Sequence, residues 1–245
     1  MIEVQCLNKT INGYKILHNI DFTVNSSEII GYLGPNGAGK TTTINILATL
    51  LKPTSGSVFL NGYNVIHDAK KIRRFIGCVF DDFGLYPSLT VSKNLHFIGK
   101  LYNLSQQQRD KAIKQSIEFF DLREYLHTPV YKLSKGTKQK VNIAKSLLHD
   151  PDILFLDEPT SGLDPFTSKN ILNLITSLKK EGRTIIITTH LLHLAEMVSD
   201  KIILLNKGKI IFNGQISSIK NDLHKNSLED LYFSLLGDVH GQYFN

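Results

Sequence analysis

The sequence is poor in the features that build disulfide scaffolds or membrane spans. Its 245 residues contain two cysteines, Cys6 and Cys78. Both fall in predicted strands, so we expect buried free thiols rather than a disulfide or a metal site. No apolar run reaches the roughly 18 residues that a membrane span needs, and no basic segment followed by an apolar run begins the sequence. These absences predict a cytoplasmic chain that needs a partner for any role at a membrane.

Charge of either sign is not concentrated anywhere in the sequence. The 28 Lys and Arg residues outnumber the 22 Asp and Glu residues, which leaves a net charge of +6 spread along the chain. This mild excess suits an anionic ligand or the cytoplasmic face of a membrane, but it is too diffuse to indicate nucleic acid. We therefore expect no nucleic-acid partner.

The strongest positive signal is a glycine-rich stretch of the pattern G-x-x-x-x-G-K-[ST]. An apolar segment at residues 28–33 precedes it as a predicted strand, and residues 43–51 follow it as a predicted helix. In this context the glycines let successive N–H groups turn toward a bound oxyanion, and the helix N-terminus adds positive potential. We expect Lys40 to reach the β- and γ-phosphates and the Thr41 hydroxyl to ligate Mg²⁺. The candidate nucleotide-binding residues of this loop are Gly34, Pro35, Asn36, Gly37, Ala38, Gly39, Lys40, Thr41 and Thr42.

Two adjacent carboxylates follow a second apolar strand. Ile153-Leu154-Phe155-Leu156 leads directly to Asp157 and Glu158, and ligands of open α/β sheets bind at the carboxyl ends of strands. Because side chains on a strand alternate between faces, the two acids should have different roles. We expect Asp157 to hold Mg²⁺ through water and Glu158 to act as the general base on the attacking water. Solvated loop charges are the alternative reading.

Together with the glycine-rich loop, hydrophobic periodicity predicts an α/β fold: a P-loop NTPase core with a parallel sheet, an N-terminal antiparallel β subdomain and an inserted helical subdomain. Two strands at residues 2–7 and 16–24 begin the β subdomain. Residues 1–89 and 150–215 form the core with the β subdomain, residues 90–149 the helical insertion, and residues 216–245 a short helical tail. We expect one domain over residues 1–245.

A turn ahead of the last helix of the insertion makes the resemblance specific. The string Leu133-Ser134-Lys135-Gly136-Thr137 resembles the Leu-Ser-Gly-Gly-Gln signature of ABC transporter ATP-binding subunits, and the match extends over nearly the whole chain. Ser161-Gly162-Leu163-Asp164 resembles the D-loop of that family, and His190 resembles its switch histidine, which contacts the γ-phosphate. The resemblance implies ATP hydrolysis.

The same resemblance implies how the subunit is assembled. Two ATP-binding subunits, identical or not, would lie head to tail, with each ATP between one P-loop and the other subunit's Ser134 and Gly136. A membrane-spanning permease would be contacted near residues 81–101, which would hold the chain at the cytoplasmic face of the membrane.

Three positions depart from the family pattern. Ile11 stands where an aromatic residue usually stacks on adenine, so we expect weaker base binding unless Tyr14 partly substitutes. Asp81 replaces the usual Q-loop glutamine; we expect it to ligate Mg²⁺, with tighter metal dependence and slower hydrolysis, and a plain surface turn is the alternative. Lys135 either brings a cation near the opposed γ-phosphate or points to solvent.

Signatures of the Leu-Ser-Lys-Gly type are similar to those of export systems with ABC-2-type membrane subunits, including drug and bacteriocin-resistance exporters, and residues 84–90 and 227–231 resemble the same branch. This implies an ATPase that drives export.

Two alternatives stay open. One is an ATP-gated dimerising clamp with weak hydrolysis, which Glu158 disfavours and which Ile11 and Asp81 mildly favour. The other is a non-transport ABC ATPase, which usually carries a coiled-coil insertion or a second cassette.

Overall fold

The computed structural model describes residues 1–80, 84–221 and 227–240. Its strands are β1 (Ile2–Ile11), β2 (Tyr14–Val24), β3 (Ile29–Leu33), β4 (Ser55–Leu60), β5 (Tyr63–Asn64), β6 (Ile76–Val79), β7 (Ile153–Asp157), β8 (Thr184–Thr189), β9 (Lys201–Asn206) and β10 (Lys209–Gln215). Its helices are α1 (Lys40–Leu47), α2 (Ala69–Ile72), α3 (Val91–Leu101), α4 (Gln106–Phe120), α5 (Lys135–Leu147), α6 (Pro165–Lys180), α7 (Leu192–Val198), α8 (Ile216–Asn221) and α9 (Leu228–His240). Asp81, a predicted metal ligand, lies outside the described residues.

The larger sheet brings several strand ends to one edge. Its order is β10-β9-β3-β8-β7-β6, and every neighbouring pair is parallel except the closing hairpin of β9 and β10. The register pairs Leu33 with Thr189 and Asp157 with Thr188. Residues that follow β3, β7 and β8 therefore meet at the carboxyl edge of the sheet, where ligands of such sheets bind.

A second sheet is antiparallel and has the order β2-β1-β4-β5. Its inward residues, such as Val4 and Leu17, share one buried cluster with Ile44 of α1 and Phe155 of β7. The sheet thus packs over α1, the helix that follows the glycine-rich loop. Strands β1 and β2 are both longer than predicted, because their pairing extends to Ile11 and Tyr14 at the turn.

The expectation that both cysteines are buried is wrong for Cys6. The register of β1 shifts between Val4 and Leu7, and Cys6 adopts a left-handed φ of 48° at this irregularity. Its N–H donates to Asp21 Oδ1 at 2.7 Å and its side chain is exposed, because the bulge interrupts the alternation of faces. Cys78 lies partly buried in β6, and desolvation raises the pKa of its thiol to about 12.

The helical insertion has caps that can be read in its sequence. The side chains of Thr90 and Ser105 accept from the N–H groups of Lys93 and Gln108, at the starts of α3 and α4. Apolar residues of α3, α4 and α5 share a buried cluster with the parallel sheet. The predicted fold class, an α/β core with an antiparallel sheet and inserted helices, is confirmed. Within the described residues, no helix combines the length and apolar character that crossing a membrane requires.

Candidate functional site

The glycine-rich loop links β3 to α1 at the carboxyl edge of the sheet. Gly34 has a φ of 154°, and a Cβ there would lie 2.1 Å from the carbonyl oxygen of Leu205. Gly39 has a φ of 106°, and a Cβ there would lie 2.6 Å from Leu17 Cδ2. The path of the loop is thus possible because these two positions are glycine, with β9 and β2 packed against it.

Lys40, the first residue of α1, is folded back over the loop and is only 6% exposed. Its Nζ donates to the carbonyl oxygens of Gly34 at 2.7 Å and Pro35 at 3.2 Å, and it lies 4.0 Å from Glu158 Oε1. Burial lowers the pKa of Lys40 from its ordinary value, and the carboxylates of Glu158 and Asp157 oppose that shift. A buried ammonium group therefore lies against the carbonyl oxygens of the loop, near the carboxylate of Glu158.

Asp157 joins the end of β7 to the start of α1. It is 5% exposed, and its Oδ2 accepts a hydrogen bond from Thr41 Oγ1 at 3.0 Å. Its other oxygen, Oδ1, accepts from Thr188 Oγ1. A carboxylate next to a hydroxyl is an all-oxygen donor set, which Mg²⁺ prefers when water and phosphate complete its coordination. Thr41 and Asp157 therefore fit the metal that the sequence predicts.

Glu158 lies in a different environment from Asp157, as expected, but a backbone turn after the end of β7 and not the alternation of faces separates the two side chains. It has a left-handed φ of 48°, which costs a non-glycine residue about 1 to 2 kcal/mol. Its N–H is shared between the carbonyl oxygen and the hydroxyl of Thr188, each at 3.1 Å. Its two carboxylate oxygens each lie 3.1 Å from His190 Nδ1. The backbone turn thus sends this carboxylate toward His190 and Lys40.

Sequence reasoning missed Thr188, which contacts both acids. The available signal is that Thr188 and Thr189 place two hydroxyls after the apolar run Ile185-Ile186-Ile187, immediately before His190. Nothing in the local sequence indicates that one of these hydroxyls contacts residues 30 and 31 positions earlier in the chain.

The signature turn lies at the start of α5, on the face next to α6. Ser134 Oγ accepts from the N–H of Thr137 at 3.1 Å and so caps the helix. A Cβ at Gly136 would lie 2.7 Å from Thr167 Cγ2. Lys135 is exposed, and its ammonium lies 2.4 Å from the position that a Cβ of Gly162 would take, so it rests against the D-loop of its own chain. Among the described residues, no hydrogen bond or ion pair joins this turn to loop 34–39.

Tyr14, the candidate base-binding residue, and Ile11, which stands at the usual position of the aromatic, lie at the turn between β1 and β2. Ile11 and Tyr14 are paired across this turn, and their exposed fractions are 38% and 77%. The loop is contacted instead by residues further along β2, since Leu17 packs at Gly39. The structure therefore brings together Lys40, Thr41, Asp157, Glu158 and His190. Among the described residues, no hydrogen bond or ion pair joins Tyr14 or Ser134 to these five.

Similarity to known proteins identifies a family and a fold. The profile of the ABC transporter family matches residues 17–161. The chain is similar to the ABC transporter ATP-binding protein NatA of Bacillus subtilis, with 35% identity over 224 residues and 91% of each chain covered. It is 36% identical over its whole length to the probable multidrug ABC transporter ATP-binding protein YbhF of Escherichia coli, and it spans 43% of that longer protein. Its fold is similar to a dimeric structure of the ATP-binding cassette MJ0796, in a post-hydrolysis state bound to ADP and Pi, with a TM-score of 0.80, 29% identity and coverage of 88% of this chain and 99% of that one.

Proposed function

The chain belongs to the ABC transporter family as an ATP-binding subunit with ATP hydrolase activity, and from this premise we propose that it drives export through a separate membrane-spanning permease. The observation that carries the proposal is the convergence of the loop lysine, two acids and a histidine at one sheet edge, to which no hydrogen bond or ion pair of the described residues joins the signature turn. One chain thus supplies two different halves of a site. Two chains, arranged head to tail, would complete both.

The loop and Lys40 would bind the phosphates of ATP. Backbone N–H groups at the start of α1 point their positive ends at an anion, and the buried ammonium of Lys40 would stabilise charge on the β- and γ-phosphates. Thr41 and Asp157 would hold Mg²⁺ beside them. A bound Mg²⁺ would withdraw negative charge from the phosphate oxygens.

Glu158 would act as general base on water. It would take a proton from the water whose oxygen attacks the γ-phosphorus, while the bond from that phosphorus to the bridging oxygen of ADP breaks. His190, which contacts both oxygens of the Glu158 carboxylate, would orient the base and contact the γ-phosphate. The products are ADP and inorganic phosphate.

The second subunit would close the site with its signature turn. Ser134 and Gly136 present a hydroxyl, N–H groups and the N-terminus of α5, which together suit a γ-phosphate oxygen. Lys135 rests on its own D-loop and would connect the turn of one half-site to the acids of the same chain. On the base side we propose Tyr14 as a partial stacking partner, and Asp81 stays a candidate metal ligand.

The proposal of export is supported by the name of a similar protein and by the form of the signature. YbhF carries a probable multidrug role in its name, and the Leu-Ser-Lys-Gly form of the signature resembles the same exporter branch. The permease would place the chain at the cytoplasmic face of the membrane, and it would select the cargo.

A direct test measures Mg²⁺-dependent phosphate release by the full chain, alone and with the membrane protein that co-purifies with it. We expect turnover that rises with the partner and that is lost in Glu158→Gln. ATP-dependent dimerisation without turnover, with the partner present, would instead identify a clamp. Vesicles that contain both proteins and that take up a labelled drug in response to external ATP would establish export, because the ATP side corresponds to the cytoplasm.

A further inference from the structure

We propose that Thr188 is a positioning residue that sets the geometry of both acids, so that metal binding and hydrolysis depend on its hydroxyl. The inference rests on the proposed hydrolysis at this site. It is drawn from one side chain that bonds to Asp157 and to the backbone of Glu158 at the same time.

The fold places Thr188 where it can do this. It lies in β8 directly opposite Asp157 in the parallel register, and it is fully buried. Its hydroxyl donates to Asp157 Oδ1 and accepts from the N–H of Glu158, so both functions of the group are used. A single hydroxyl thus donates to the carboxylate of Asp157 and accepts from the backbone N–H of Glu158 at the same time.

The contact to Asp157 governs the candidate metal ligand. With Oδ1 bonded to Thr188 and Oδ2 bonded to Thr41, the plane of the carboxylate is fixed at both ends. If Thr188 lost its hydroxyl, Thr41 would be the remaining side-chain donor, and the carboxylate could rotate about its bond to Cβ. Partners that orient a metal ligand commonly change metal affinity or activity by about 10- to 100-fold when they are removed.

The contact to Glu158 governs the candidate base. Its left-handed backbone is held by one N–H shared between the carbonyl oxygen and the hydroxyl of Thr188. Without the hydroxyl, one of these two acceptors is gone and the turn that directs the carboxylate toward His190 is held less firmly. Within the part of the chain that the structure describes, no hydrogen bond joins Thr188 to Lys40 or to loop 34–39, so phosphate binding should not depend on Thr188.

The strand offers a matched control. Thr184 is at the other end of β8, is also buried, and accepts a hydrogen bond from the N–H of Ser27 at 3.0 Å. Thr188→Val and Thr184→Val each replace a hydroxyl by a methyl group of similar volume on the same strand. A role in packing or stability would affect both alike, whereas positioning of the acids would affect only the first.

The experiment compares the full chain with Thr188→Val, Thr188→Ser and Thr184→Val by kcat, KM for ATP, the Mg²⁺ concentration for half-maximal rate, and thermal melting. We expect Thr188→Val to lower kcat by about 10- to 100-fold and to raise the Mg²⁺ requirement, with KM within about threefold. Thr188→Ser should recover most of the rate, because it keeps the hydroxyl, and Thr184→Val should keep both kinetic values even if it melts lower.

Two results would overturn the inference: a Thr188→Val protein with unchanged rate and Mg²⁺ requirement, or equal losses in Thr184→Val and Thr188→Val. If Thr188→Val does not fold, Thr188→Ser with a rate more than about tenfold below the parent would also contradict it. Absence of turnover in the parent chain would count against the proposed function instead. In that case the deciding measurement is the gain in ATP affinity on adding Mg²⁺, determined by fluorescent-nucleotide displacement. Thr188→Val should reduce this gain, and Thr184→Val should not.

Discussion

The phosphate side of the site and its base side are built in opposite ways. On the phosphate side, Lys40 and Asp157 are buried and hydrogen-bonded to other groups of the protein. On the base side, Ile11 and Tyr14 stand exposed at a strand turn, and Tyr14 is the more accessible of the two. In the proposed function, ATP affinity and hydrolysis would therefore depend on buried groups that the protein already hydrogen-bonds, whereas base recognition would depend on an exposed side chain.

Physical chemistry accounts for this division. Burying a polar group lowers the stability of the fold unless the group has a hydrogen-bond partner. The buried polar side chains of a triphosphate site are therefore stable only when they are hydrogen-bonded to one another or to the backbone. An aromatic base needs only a flat surface, and an exposed ring at a turn can supply one without supporting bonds. The network is therefore where single substitutions should have their largest effects.

The largest effect is expected at Glu158. Glu158→Gln removes the acceptor for the water proton but keeps the shape of the side chain, so kcat should fall by about 100- to 10,000-fold. ATP affinity should stay within about threefold of the parent value, because Lys40 and the loop are unchanged. Phosphate release and equilibrium ATP binding measure the two quantities. A variant that keeps a tenth or more of the parent rate would show that Glu158 is not the base.

Next in size is the backbone of the loop. In Gly34→Ala the new Cβ meets the carbonyl oxygen of Leu205, which cannot rotate away, and we expect the free energy of unfolding to fall by about 3 kcal/mol. Gly37→Ala is the matched control. It also has a positive φ, of 78°, but it has open space, so it should cost about 1 kcal/mol. Urea unfolding measures both, and equal losses would contradict the steric argument.

Much of this contrast could be predicted from the sequence. The loop pattern between a strand and a helix gave the position of Lys40 and Thr41, and the acids after an apolar strand were expected at the same sheet edge. These signals are local, because each depends on a few neighbouring residues and on strand periodicity. The parallel sheet then brings the separate motifs together through topology alone.

What the sequence did not predict depends on irregular backbone or on distant contacts. Cys6 is exposed because β1 changes register there, and alternation alone cannot locate a bulge. Thr188 was missed because its partners are 30 and 31 residues away. The contact of Lys135 with Gly162 was not anticipated either, since it depends on how α5 and α6 pack.

On the base side the expected effects are smaller. Ile11→Tyr would add a stacking surface at the position where the family usually has one, and we expect ATP affinity to rise by about fivefold, near the lower limit for stacking on one base. Tyr14→Ala should lower the affinity by a similar factor. Inorganic tripolyphosphate, which has no base, is the control ligand, and its affinity should not change in either variant. If Tyr14→Ala binds ATP as the parent does, Tyr14 is not a stacking partner.

The smallest expected effect is a dependence of ATP affinity on alkaline pH that arises on the phosphate side alone. Because burial lowers the pKa of Lys40, the free chain loses this charge at a lower pH than an ordinary lysine does. Bound phosphates favour the ammonium, so above the lowered pKa the binding of ATP must be accompanied by uptake of a proton, and affinity falls as pH rises. We expect the affinity to begin falling at a lower pH than the loss of charge from an ordinary lysine would cause, with proton uptake visible as a dependence of the calorimetric heat on the buffer. The same loss should occur in Tyr14→Phe, which removes the phenol at the base side. A flat profile, or one that disappears in Tyr14→Phe, would show that the buried lysine does not govern the pH dependence of binding.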